Sequence, residues 1–188
     1  MDKMITKEIK PVLPKQIGTE EGKLLFQKSG EVKNFDEAKR IVSYLKATIY
    51  HYGGVGLAAP QIGIPKRVFI VNIKPSERRP NIKEVGFVAY VNPRILSLSS
   101  ETNKDIEGCL SVFYATLYGG VGRANSLKIE YFDPEGKKHL GEITDPFHAR
   151  VVQHEYDHLN GVVFLQRMDK EDFAGILWDE RLDIRGKD

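Results

Sequence analysis

Apolar residues recur at Ala38, Ile41, Val42, Leu45 and Ile49, the steps of three and four that predict an amphipathic helix over Phe35–Tyr52. Asn34 is placed to cap its start, and Gly53-Gly54 to stop it. The runs RVFIVNI (67–73) and GFVAYV (86–91) read as buried strands, the second ending before Asn92-Pro93. Between them PSERRPNIK (75–83) is polar and rich in breakers, a surface hairpin loop. LKIEYF (127–132) alternates faces, turns at Asp133-Pro134-Glu135-Gly136 and is followed by a second strand at 138–143. Asp145-Pro146 then opens a helix, aspartate as cap and proline at the first position. One face of that helix carries Phe147, Arg150, Val151, His154 and His158. In the tail (169–182), Phe173, Ile176, Leu177 and Leu182 have helical spacing and predict a docking helix. The expected architecture is α+β: a single domain over residues 1–188, with mixed or antiparallel β-sheets around the histidine-bearing helix, an N-terminal helix and a C-terminal helix.

Composition narrows the setting. At 188 residues, 41% hydrophobic and 29% charged, the chain has the size and balance of one globular domain with a sizeable core. No apolar run approaches a membrane span, and residues 1–14 lack the apolar stretch of a secretion signal. A net charge of +2 with dispersed lysines gives no basis for nucleic-acid binding, and neither membrane nor sequence-specific nucleic acid is an expected partner. The single cysteine forbids an intramolecular disulfide, and cytoplasm is the expected compartment.

Residues 154–158 read HEYDH. Two imidazoles four apart on a helix lie on one face a turn apart and can share a metal ion, while Glu155 beside the first is placed to exchange a proton with water there. A third histidine six residues on, which one protease form requires, is replaced by Phe164. A later glutamate, the other form, would have to be Glu171 or Glu180, which lie in a polar tail without a motif. Cys109, inside EGCLS, is the best third ligand, and three protein ligands leave an open position suited to catalysis.

Three segments in order, GVGLAAPQ (54–61), EGCLS (107–111) and QHEYDHLNG (153–161), resemble the motifs of the peptide deformylase family. The resemblance extends over about 54–167 and is loose before that. It implies hydrolysis of the formyl amide on the N-terminal formyl-methionine of new polypeptides, with release of formate. The metal ligands would be Cys109, His154 and His158, holding one divalent ion; iron(II) is the implied working metal, with zinc, nickel and cobalt as alternatives. Glu155 would carry the proton, while the Gln61 side chain and the Leu110 backbone N–H would stabilise the oxyanion. Nascent formyl-methionyl peptides are the implied partners, with a transient ribosome contact.

The resemblance implies an extended substrate that pairs with Val55, Gly56 and Gly108, the glycines leaving room for a peptide near the backbone. Phe147 and Val151 are candidate walls of the methionine pocket, and Arg150 is expected to hold its guanidinium at the rim. The resemblance implies a Glu107–Arg123 ion pair beside the site; Gln153 and Asp157 are expected to support the ligands, with Asp157 alternatively a solvent-facing helix residue. The family usually places proline after an apolar residue at the end of EGCLS. Here Val112 is followed by Phe113, and the aromatic stretch FYATLYGG (113–120) puts peptide preference beyond methionine in doubt. Two other classes stay open at this point: a zinc endoprotease, and a metal-binding module without turnover.

Overall fold

The computed structural model describes residues 9–77, 79–173 and 177–178. The first long helix, α1 (Phe35–Tyr52), starts where Asn34 accepts the Asp36 N–H at 2.8 Å and ends at Gly53, whose φ of 85° suits a residue without a Cβ. Strands β1 (Gly56–Ala58), β2 (Val68–Ile73), β3 (Val85–Leu98), β6 (Leu127–Phe132) and β7 (Lys138–Ile143) form an antiparallel sheet in the order β1-β2-β3-β6-β7. Strands β4 (Thr102–Gly108), β5 (Leu117–Ala124) and β8 (Leu177–Trp178) form a second antiparallel sheet in that order.

The unbroken apolar run of β2 has a structural cause. Val68 and Ile70 pack with Ala38, Ile41, Leu45 and Ile49 of α1. Phe69, Val71 and Ile73 pack with Ala149, Val151 and Val152 of a second helix, α2 (Pro146–Leu159). A strand covered on both faces needs apolar residues at every position rather than at alternate ones. The larger sheet is therefore sandwiched between the helices. Gln153 ties α2 to the smaller sheet, accepting from the Ala124 N–H and donating to its carbonyl at 3.2 and 2.9 Å.

Several sequence expectations are corrected here. Strand β3 runs through Asn92-Pro93 instead of ending there. Its register with β6 shifts between Val91 and Arg94, and Asn92, at φ 48°, bonds Val32 N–H and C=O at 2.8 Å each. A bulge accommodates a proline that a regular ladder would reject. Of the expected C-terminal helix, the described residues form only the short α3 (Lys170–Phe173), while Leu177–Trp178 is strand β8, paired with Leu117 and Tyr118 on the edge of β5 away from β4. Ile176 and Leu182 lie outside the described residues. Strands β4 and β5 had no strand signal in the sequence. No described helix is long and apolar enough to cross a membrane.

The helix that carries the histidines begins as expected, with Asp145 accepting the His148 N–H at 2.8 Å and Pro146 at its first position. Replacing Asp145 by alanine is expected to cost about 1 kcal/mol of stability. Urea unfolding would show it as a lower midpoint at unchanged slope, and an unshifted midpoint would count against the cap.

Candidate metal centre and active-site cleft

Cys109 follows directly on the end of β4, and α2 brings His154 and His158 against it. One donor atom from each lies within 4.8 Å of the other two, and the Cys109 sulfur is 3.3 Å from His158 Nε2. The two imidazole rings are 5.0 Å apart and nearly perpendicular. One thiolate and two imidazoles suit a borderline first-row divalent ion, and all three residues are largely buried. Burial, with His154 nearby, lowers the His158 pKa well below the usual range, so this ring is held neutral as a ligand must be.

His154 is oriented by Glu107, which accepts from its Nδ1 at 2.9 Å and leaves Nε2 for the metal side. Glu107 also accepts from Arg123 Nε and Nη2, both at 3.0 Å, and from Arg150 Nη1 at 2.7 Å. Burial alone would favour the neutral acid, but the bonds from His154 and Arg123 outweigh it and push the Glu107 pKa far below the carboxylate range. The expected Glu107–Arg123 pair is present. Among the described residues, the Asp157 side chain makes no hydrogen bond to a histidine; it accepts from Arg123 at 2.5 Å and from Arg167 at 2.6 and 3.0 Å. The Gln153 amide, tied to β5, bonds no histidine either. Glu107 does the work that sequence reasoning gave to these two.

Glu155 is 3% exposed, and its Oε2 has no hydrogen-bond partner among the described residues. Burial, reinforced by the charge of Glu107, raises its pKa to about 7 against the opposing pull of His154. The carboxylate occupies space left by Gly56, where a Cβ would stand 2.5 Å from Oε1. The Gln61 amide is fixed: its Oε1 accepts from Ala58 N–H at 2.8 Å, and its Nε2 donates to the Cys109 sulfur and to Ser111 Oγ, each at 3.3 Å. Leu110 follows Cys109 on the same turn, its carbonyl accepting from Gln16 Nε2 at 2.8 Å.

A cleft of about 880 Å³ opens over this cluster. Val55, Gly56, Gln61, Gly108, Leu110 and Glu155 line it, as do Phe147, Arg150, Val151, His154 and Cys109. Fully buried His158 lies beneath. Three positions differ from expectation. The Arg150 guanidinium is not at the rim but buried, donating to Glu107, to the Val121 and Asn103 carbonyls and to Asn103 Oδ1. The space at Gly108 is taken by the Tyr118 ring, 2.4 Å from where a Cβ would stand, and that at Gly56 by Glu155. Both glycines thus make room for side chains of this chain. Sequence reasoning also missed Arg79, which stacks on Phe147 at 4.6 Å and pairs with Asp105 at 2.7 Å, because a polar loop carries no signal of what it covers.

An antiparallel α+β fold with a thiolate–imidazole–imidazole cluster and a buried, half-unpartnered glutamate on its floor defines a metallohydrolase. The family model for polypeptide deformylase matches residues 14–174. Peptide deformylase 2 of a Nostoc species is 39% identical over 77% of this chain and 80% of its own length. The peptide deformylase of Pelagibacter ubique is 41% identical over 83% and 87%. The Met-Ala-Ser-bound crystal structure of the class I type b peptide deformylase from Acinetobacter baumannii has a TM-score of 0.79 at 36% identity, covering 86% of this chain and all of that one. The chain belongs to the polypeptide deformylase family.

Because a methyl group at position 56 would displace the Glu155 carboxylate, Gly56→Ala is expected to lower kcat/KM about a hundredfold while metal content stays at the wild-type level. Metal analysis beside steady-state kinetics checks this, and wild-type turnover by the alanine enzyme would refute the packing argument.

Proposed function

We propose that residues 1–188 form one catalytic domain that hydrolyses the formyl amide of N-terminal formyl-methionine on nascent polypeptides, releasing formate. The observation that carries this reading is the unpartnered Glu155 Oε2 beside the Cys109, His154 and His158 cluster, on the floor of a cleft flanked by two sheet edges. A divalent metal held by those three donors would supply a Lewis acid that lowers the pKa of water toward neutrality. Glu155, with a pKa of about 7, accepts a proton at Oε2 from the attacking water and returns it to the leaving nitrogen, which departs as a neutral amine. Gln61 Nε2, releasing one of its two 3.3 Å bonds to the Cys109 sulfur and Ser111 Oγ, and the Leu110 N–H donate to the formyl oxygen as it gains negative charge; such a donor is worth about 3 to 4 kcal/mol of barrier.

Edge strands β1 and β4 support an extended substrate that pairs with the backbone at Val55, Gly56 and Gly108. Phe147 and Val151 offer an apolar wall for the methionine side chain, and Arg150 holds the wall in place through Glu107. Cytoplasm, where nascent formylated chains are found, is the proposed compartment, and iron(II) the proposed metal.

Formate release from a formyl-methionyl peptide is the direct test. Glu155→Gln is expected to keep its metal and lose at least about a hundredfold in kcat. Cleavage of internal peptide bonds, or no formate from the metal-loaded wild type, would overturn the assignment. The iron(II) form, prepared without oxygen, is expected to be the more active and to be inactivated by peroxide, to which a thiolate ligand is exposed. Equal activity and peroxide resistance in zinc and iron forms would refute that expectation.

A further inference from the structure

Among the described residues, the segment at residues 14–17 makes no hydrogen bond to the ligand side chains or to Glu155, yet it grips both residues proposed to donate to the formyl oxygen. Lys15 N–H bonds the Gln61 carbonyl at 2.7 Å, and Ile17 N–H bonds the Ser111 carbonyl at 3.0 Å. Between them the buried Gln16 side chain uses its amide on both sides. Its Nε2 donates to the Leu110 carbonyl at 2.8 Å and to the Pro14 carbonyl at 2.9 Å, while its Oε1 accepts from Tyr114 N–H at 2.8 Å. Two carbonyls on one side and an N–H on the other fix the amide in one orientation.

The third of those partners explains why a clamp is needed here. Phe113, Tyr114 and Ala115 have φ of 45°, 55° and 67°, a left-handed run that residues with a Cβ rarely adopt. The chain therefore leaves the metal turn by a strained route. The Tyr114 N–H, one residue past the departure, is held by the same side chain that holds Leu110.

We propose that Gln16 is a positioning residue for deformylation. It acts through Leu110 and the left-handed turn to set where the Leu110 N–H lies relative to the Gln61 amide. This rests on the reading of Gln61 and Leu110 as the donors to the formyl oxygen. A carboxamide of this length meets the three partners at once. Methionine matches its reach and bonds none of them; glutamate keeps the acceptor for Tyr114 but sets an oxygen against two carbonyls.

The test compares wild type, Gln16→Met and Gln16→Glu, each loaded with metal and assayed by formate release. Both variants are expected to lose about tenfold or more in kcat, with KM and metal content unchanged, since misplacing a transition-state donor acts on the chemical step. Hydrogen exchange at residues 110–114 is expected to speed up in both, whatever their turnover. A merely structural role would lower the melting temperature and leave kcat per folded molecule and exchange at Leu110 as in wild type. That outcome, or a loss confined to KM, overturns the proposal. Gln16→Asn, which keeps the amide but shortens its reach, is read in the same way should the longer substitutions fail to fold. Wild type that releases no formate would overturn the functional reading instead, and the exchange data would still decide whether Gln16 positions Leu110.

Discussion

The site depends on one buried carboxylate. Glu107 stands on the last turn of strand before Cys109 and receives bonds from Arg123 on β5 and from Arg150 and His154 on α2. A carboxylate this deep costs several kcal/mol in lost hydration, and only a full set of charge-assisted bonds offsets that. The partners come from the neighbouring strand and from a helix packed against the other sheet, so meeting the demands of Glu107 fixes how the helix sits on the smaller sheet. The thiolate two residues further along is thereby brought to the imidazoles. Asp157 extends the arrangement outward, sharing Arg123 with Glu107 and reaching Arg167, so that anions and cations alternate from the metal ligand toward solvent.

Much of the scaffold was legible because its residues face one decisive neighbour. In α1 the positions of Ala38, Ile41, Val42, Leu45 and Ile49 are set by the sheet beneath, and the caps at Asn34 and Asp145 are local chemistry. The cluster of Cys109, His154 and His158 was legible for a similar reason: few residue types can do that chemistry. Strands β4 and β5 were not. TNKDIEG and LYGGVGRA contain polar residues and glycines that no local preference turns into strands; they pair because Glu107, Arg123 and Tyr118 have partners across the ladder. Gln16 was equally silent, since its bond to Leu110 spans 94 positions of chain.

The glycines of the motifs show how a correct pattern can carry the wrong reason. Gly56 and Gly108 were read as openings for a foreign backbone. Each is an opening, but one admits the Glu155 carboxylate and the other the Tyr118 ring. Tyr118 belongs to the aromatic stretch FYATLYGG (113–120), part of which is interior filling for the second sheet and part the left-handed turn behind Leu110.

Among the described residues, strands β1 and β4 are both at the margin of their sheets, and a margin open to the proposed extended substrate also invites any other extended chain. The molecule limits that risk by scale and charge. β1 is only three residues long, too short a template for a stable foreign strand, and β4 carries Lys104 and Asp105 side by side. Brief, replaceable pairing is what a catalyst that must let go of each polypeptide requires, so the same economy of length guards against self-association and favours release.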